Sequence, residues 1–189
     1  MVDAETLVVE KTPIHKIWAT LEGCVKEGLV KDIGVSNCNT QMLIDLLSYA
    51  EVFPVVNQIE VHAYNSQQGL VRFCQKMGVT VTAYSPIGAA AFPGSEKKVA
   101  LLDNPVLKEL ADKYGKTPAQ VALNWNLRRG VVVIPKTMSK ERLTENFGCY
   151  SFELSEEDQK RIDELNQDFR LFNPRSWGNF PWHNIPYFE

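Results

Sequence analysis

Four short apolar runs rich in β-branched residues recur along the chain: KDIGVS (31–36), FPVVNQIEV (53–61), VTVTAY (79–84) and VVVIP (131–135). Runs this short and this continuously apolar predict strands of a parallel sheet covered by helices. Between them the spacing becomes helical. Ile14, Ile17, Trp18, Leu21 and Val25 fall at i, i+3, i+4, i+7 and i+11, one face of a helix opened by Thr12-Pro13 and ending near Gly28. Asn39 or Thr40 opens QMLIDLLSYA, Ser66 opens QQGLVRFCQKM ahead of Gly78, and Asn104-Pro105 starts VLKELADKY, which Gly115 stops. Thr117 with Gln120 forms a capping box ahead of AQVALNWNLRR, and Ser155 with Asp158 forms another ahead of EEDQKRIDEL. The tail, 167–189, is aromatic and proline-rich without periodicity and reads as an ordered loop laid on a surface.

The order is therefore a helix, then strand and helix four times, with an extra helix before the fourth strand and another at the end. That is half of an eight-fold (β/α) barrel or a small open α/β sheet. A complete barrel takes about 250 residues. The 189 residues here support one domain, 1–189, of about four β/α units.

Composition narrows the partners. A formal net charge of -3 lacks the basic excess that nucleic acid or an anionic membrane demands. Any anion site must be local. Cys24, Cys38, Cys74 and Cys149 are scattered, with no C-x-x-C spacing, so neither a zinc site nor a disulfide framework is signalled. The stretch MVDAETLVVEK resembles neither a signal peptide nor an anchor, and the expected compartment is the cytoplasm.

In (β/α) barrels the working groups sit at the C-terminal ends of the strands. Those ends carry Ser36-Asn37, Gln58 through His62, Tyr84-Ser85-Pro86-Ile87-Gly88, and Lys136-Thr137. In VVVIPKTMSKERLTENF, Lys136, Thr137, Ser139 and Arg142 gather where a strand runs into a helix, a place where free N–H groups and the helix dipole attract anions. Two readings stay open from the residues alone: a phosphate site, or a Ser139 cap flanked by solvated cations. Tyr84 likewise reads either as an aromatic platform for a ligand or as a core ring with its hydroxyl satisfied locally.

The stretches GLVKDIGVSN, VVNQIEVH, VTAYSPIG, KTPAQVALNW and VVVIPKTMSKERLTENF resemble, in order and spacing, consecutive signatures of the aldo-keto reductases, NADP-dependent TIM-type (β/α)8 barrel enzymes of the aldose and xylose reductase kind. The resemblance covers roughly 13–166 and corresponds to the C-terminal half of the barrel. It implies that Lys136, Thr137 and Arg142 hold the adenosine 2′-phosphate of NADPH while Glu145 and Asn146 reach the adenine. It further implies that Tyr84 stacks on the nicotinamide, that Ser36, Asn37 and Gln58 hold the carboxamide, and that Ser85, Pro86, Ile87 and Gly88 lie along the pyrophosphate, with Ile134 also lining the cofactor. His62 is structural on this resemblance. Trp177, Phe180 and Trp182 resemble walls of the substrate pocket in a closing C-terminal loop, or else simply pack on the barrel. The stretch AAAFPGSEKK has no acidic residue soon after Gly88, a departure from the family pattern that implies a weaker clasp on the cofactor.

The same resemblance implies reduction of aldehydes or aldoses by hydride transfer, with tyrosine, lysine, aspartate and histidine as catalytic residues. Those four belong to the barrel's first four strands, so no catalytic residue is assigned here. Tyr49, Tyr64, Tyr114, Tyr150 and Tyr187 stand in no motif that would substitute. General acid catalysis is worth roughly 10²- to 10⁴-fold, so the polypeptide alone is expected to have little or no activity. A half-barrel also leaves two sheet edges bare and an apolar inner face without an opposite wall. The expected partner is a second copy or a complementing N-terminal half. The rival reading is a non-catalytic half-barrel kept as a binding or assembly module.

Overall fold

Five of the helices described below begin where a side chain supplies an acceptor for their first free N–H groups. A computed structural model describes residues 11–88 and 100–173. It runs α1 (Ile14–Lys26), β1 (Val35–Ser36), α2 (Thr40–Tyr49), β2 (Val56–Glu60), α3 (Gln68–Lys76), β3 (Thr80–Tyr84), α4 (Pro105–Tyr114), α5 (Pro118–Arg128), β4 (Val131–Val133), α6 (Lys140–Phe147) and α7 (Glu156–Asp163). Asn39 caps α2, Asn104 caps α4, Ser139 caps α6, and Thr117 with Gln120 closes a full capping box on α5.

Three expected caps differ. Pro13, not Thr12, occupies the cap position of α1. Ser66 does not cap α3: its N–H donates to Asn166 Oδ1 and its carbonyl accepts from Arg129 Nη2, and Gln67 stands at the cap in a left-handed conformation, φ 46°. The backbone of Ser66 is thus held by partners distant in sequence, and the helix starts one residue later without a side-chain cap. At α7, Ser155 Oγ accepts the N–H of Asp158, but the Asp158 carboxylate does not return to the Ser155 N–H, which donates to the Tyr114 hydroxyl instead.

The four strands are parallel and lie in the order β1-β2-β3-β4. Gly34 lets β1 approach β2: a Cβ there would lie 2.3 Å from Val56 Cγ1 and 2.8 Å from the Val56 carbonyl oxygen. Register puts Asn57, Val81 and Val131 on one face and Gln58, Thr82 and Val132 on the other. The first face is buried under helices with Ile59, Ala83, Leu107, Leu110 and Trp125. Among the described residues the second is open over most of its length, with Thr80 exposed and Val132 and Ile134 at 46% and 45% exposure, and only Glu60 at its C-terminal end is completely buried. A doubly wound sheet is covered by helices on both faces, whereas a barrel wall carries them on one. One-sided cover with strands in sequential order is therefore a barrel segment.

The open face is less apolar than the runs led one to expect. Ser36, Gln58, Thr80, Thr82 and Tyr84 share it with Val56, Val132 and Ile134. The polar residues lie scattered among β-branched ones within short runs, and a threonine reads equally well inside or outside a sheet, so the run does not announce a polar face. Among the described residues no helix is long and apolar enough to cross a membrane, and no group of three His, Cys, Asp or Glu side chains is placed to hold a metal.

Candidate functional site at the ends of the strands

At the end of β1 the chain turns through Asn37 at φ 57°, a left-handed conformation that asparagine tolerates better than most residues. The turn is locked to β2. The N–H of Asn37 and the hydroxyl of Ser36 both donate to the carbonyl of Gln58 at 2.9 Å. Asn37 Nδ2–H donates to Ser36 Oγ at 3.1 Å, and Asn37 Oδ1 accepts the Tyr84 hydroxyl at 2.9 Å. Ser36, Asn37, Gln58 and Tyr84, spread over three strands, thus form one hydrogen-bonded set. Behind them Asn57, fully buried, grips both backbone groups of Cys38: Nδ2–H donates to its carbonyl at 2.8 Å and Oδ1 accepts its N–H at 3.4 Å.

Tyr84 is half-buried on the open face, so it is not a ring of the helix-covered core. Its hydroxyl is nevertheless satisfied locally, by Asn37. Burial pushes the phenol up to about 12, the Glu60 charge adding to the shift and Arg170 opposing it. The proton therefore stays on Tyr84 throughout the physiological range. After Tyr84 the chain folds into a tight turn with Ser85 at φ 49°, Pro86 buried, and the Gly88 N–H donating to the Ser85 carbonyl at 2.9 Å.

The basic group lies at the same end of the sheet, one strand on. Ile134 N–H donates to the Ala83 carbonyl at 3.3 Å, which seats Ile134 beside Tyr84. Pro135 ends the pairing because it has no N–H to give. Thr137 Oγ then accepts the N–H of Ser139 at 3.1 Å, and Ser139 Oγ accepts that of Arg142 at 3.2 Å, which shapes the turn into α6. Ser139 is therefore the helix cap. Its hydroxyl also donates to Glu141 at 2.6 Å, and this bond holds the Glu141 carboxyl below its usual range. Lys136 and Arg142 are exposed, and among the described residues no carboxylate pairs with either. Glu145 Oε1 accepts the Thr117 hydroxyl at 2.7 Å, and the Glu145 carbonyl accepts Gln120 Nε2–H at 2.7 Å, so this residue ties α6 to α5. Asn146 follows it, half-buried.

His62 is completely buried, its Nε2–H donating to Glu60 Oε1 at 2.9 Å. Glu60 lies within the strand-end stretch Gln58 through His62 but has no role assigned from sequence, and Asn57 lies outside that stretch. The available signal is a carboxylate and an amide in a strand flanked by apolar residues, where each must find a partner or pay desolvation. Residues 89–99, with the AAAFPGSEKK stretch, and Trp177, Phe180 and Trp182 lie outside the described residues. A cavity of about 370 Å³ between α3, α5 and α7, lined by Arg72, Gln75, Arg129 and Asp163 among others, shares no residue with the strand-end groups.

A sequence model of the Aldo/keto reductase family matches residues 7–167. The chain belongs to this family. It is 44% identical over 174 residues to Aldose reductase B of Dictyostelium discoideum, covering 92% of this chain and 54% of that protein. It is 42% identical over 175 residues to a probable NAD(P)H-dependent D-xylose reductase of Arthroderma otae, covering 89% of this chain and 54% of that one. Among solved structures, aldose reductase from Giardia lamblia superimposes with a TM-score of 0.85 at 37% identity, over 96% of this chain and 59% of its own. An aldo-keto reductase crystallised with NADPH gives 0.82 at 40% identity, over 95% and 55%. The chain thus spans about half the length of the curated relatives it matches.

Proposed function

We propose that this chain carries the NADP(H)-binding portion of an aldo-keto reductase that reduces aldehydes and aldoses to alcohols. The observation that carries the reading is the hydrogen-bonded set Ser36, Asn37, Gln58 and Tyr84 at the strand ends, beside a basic turn whose Lys136 and Arg142 have no carboxylate partner among the described residues. The cofactor, when bound, supplies the hydride. Tyr84 gives its ring as a platform for the nicotinamide. The oriented amide of Asn37, with Gln58 and Ser36, holds the carboxamide, and the backbone of Ser85, Pro86, Ile87 and Gly88 follows the pyrophosphate. Ile134 packs beside the ring. Lys136, Thr137 and Arg142 hold the 2′-phosphate, Arg142 through its planar fork and Lys136 as a point charge. Glu145 and Asn146 serve the adenine end. Trp177, Phe180 and Trp182 are assigned to the substrate pocket.

No proton donor is assigned in this chain. The Tyr84 hydroxyl already donates to Asn37 Oδ1 and is assigned no such role. The 189-residue polypeptide by itself is expected to reduce aldehydes slowly or not at all. NADPH-dependent turnover at an ordinary enzymatic rate by the purified chain would overturn that. The compartment on this reading is the cytoplasm, in keeping with four free cysteines.

Titrating NADPH and NADH against tryptophan emission tests the cofactor reading. NADPH is expected to bind with a dissociation constant on the order of micromolar, and NADH far more weakly. Equal affinity for both removes the 2′-phosphate assignment, and no binding of either removes the cofactor site.

The open face favours a second reading. Among the described residues Val132, Ile134 and Thr80 stand uncovered, and β1 and β4 are both edges of the sheet. The face is complemented by a second copy or by a separate N-terminal half-barrel, and without cofactor binding the chain is an assembly module. A monomeric mass in light scattering at micromolar concentration, with cooperative unfolding, excludes self-association.

A further inference from the structure

Glu60 closes β2 and is completely buried, a place where a charged carboxylate is costly unless its oxygens are engaged. They are engaged, mostly from far along the chain. Oε1 accepts the N–H of Leu171 at 2.6 Å and His62 Nε2–H at 2.9 Å, and Oε2 accepts the N–H of Phe172 at 3.1 Å. Two consecutive backbone amides thus close on one buried carboxylate, the charge-assisted geometry that gives the stronger class of hydrogen bond.

The neighbouring bonds run the same way. The Tyr64 carbonyl accepts the N–H groups of Gln167 and Phe169 at 3.1 and 3.0 Å. Gln67 Nε2–H donates to the Glu60 carbonyl at 3.0 Å, while Gln67 Oε1 accepts Arg170 Nη2–H at 3.1 Å. Residues 167–173 contain neither helix nor strand, yet they are drawn across the C-terminal end of β2. There the ring of Phe172 meets that of Tyr84 edge to face, with centroids 5.6 Å apart and planes at 82°.

We propose that Glu60 is a positioning residue for the cofactor site. Its carboxylate fastens Leu171 and Phe172 and so sets how the C-terminal segment lies against the Tyr84 ring. The positioning role rests on the cofactor reading given above; the fastening does not. A merely structural carboxylate would weaken the whole fold when replaced, whereas a fastening carboxylate releases one segment and changes what the ring beneath it binds.

Amide hydrogen exchange on the intact chain comes first. Leu171 and Phe172 are expected to be protected like residues 81–83 of β3, and freely exchanging amides there overturn the proposal. Glu60→Gln replaces one acceptor oxygen by a donor facing a donor. Exchange at Leu171 and Phe172 is expected to rise roughly tenfold or more while β3 stays protected, with NADPH affinity falling by a similar order. Glu60→Asp, which keeps the charge on a shorter stem, is expected to recover part of both; it carries the comparison if Glu60→Gln fails to fold. Unchanged exchange at Leu171 and Phe172 in a folded variant sinks the fastening. Faster exchange with unaltered NADPH affinity sinks the positioning role alone. Failure of the wild-type chain to bind NADPH overturns the cofactor reading and the positioning role with it, while the exchange data still decide the fastening.

Discussion

Replacing Asp158 with asparagine removes a buried charge from the joint between α4 and α7 without removing its bulk. The Asp158 side chain is 2% exposed, and one oxygen, Oδ2, accepts from Lys113 Nζ at 2.7 Å, from Ser155 Oγ at 2.9 Å and from the Tyr114 hydroxyl. Burial alone would push this carboxyl up. The bonds from Lys113, Tyr114 and Ser155 outweigh it and hold the group at about 2, below the usual 3.8. Because the folded value lies below the unfolded one, the stabilisation is fully present above about pH 4 and disappears as pH falls through about 2. That gap corresponds to about 2 kcal/mol, trimmed to about 1–2 kcal/mol because the Lys113 end of the pair is half exposed and screened. Urea unfolding followed by tryptophan emission reads this joint directly, since Trp125 Nε1–H donates to Asp163 on α7 at 2.8 Å. Asp158→Asn is expected to lose about 1–2 kcal/mol at pH 7 and much less at pH 2, where the wild-type carboxyl is itself being protonated. The reasoning fails if the variant and the wild type lose stability in parallel between pH 4 and pH 2.

Arg142→Met should weaken NADPH binding by roughly tenfold to a hundredfold and leave NADH unchanged, as calorimetric titration of both would show. A uniform loss for both cofactors would place Arg142 elsewhere. Tyr84→Phe keeps the ring but frees Asn37 Oδ1, so NADPH affinity should drop only a few-fold, whereas Tyr84→Ala should cost roughly tenfold or more; equal losses would mean that the hydroxyl, not the ring, matters. Gly34→Ala drives a methyl into Val56 and should destabilise the chain by about 1–3 kcal/mol in urea, and a neutral result would show that β1 can move away freely. Thr117→Ala removes both the α5 cap and the partner of Glu145, for an expected loss of about 1–2 kcal/mol in the same assay, more than a lone cap on an exposed helix.

Both the elements and their order were legible in the sequence because the forces that set them are local. Asn39, Asn104, Thr117, Ser139 and Ser155 each cap the helix they precede, since an acceptor two or three residues from a free N–H needs no tertiary partner. The strand ends that carry Ser36, Tyr84 and Lys136 were legible for the same reason. Their assembly was not. Asn37 meets Tyr84 across 47 positions, and Glu60 meets Leu171 across 111, distances at which no periodicity or spacing links two residues. Ser66 looked like a cap until Asn166 and Arg129 claimed its backbone. Most consequentially, strands that read as largely apolar proved to bury one face and leave most of the other open and partly polar among the described residues. The sequence by itself determined which segments become strands and helices and which side chains stand at their ends. Only the tertiary structure decided that, among the described residues, helices cover a single face, because burial depends on what packs against a strand and not on the strand's own residues.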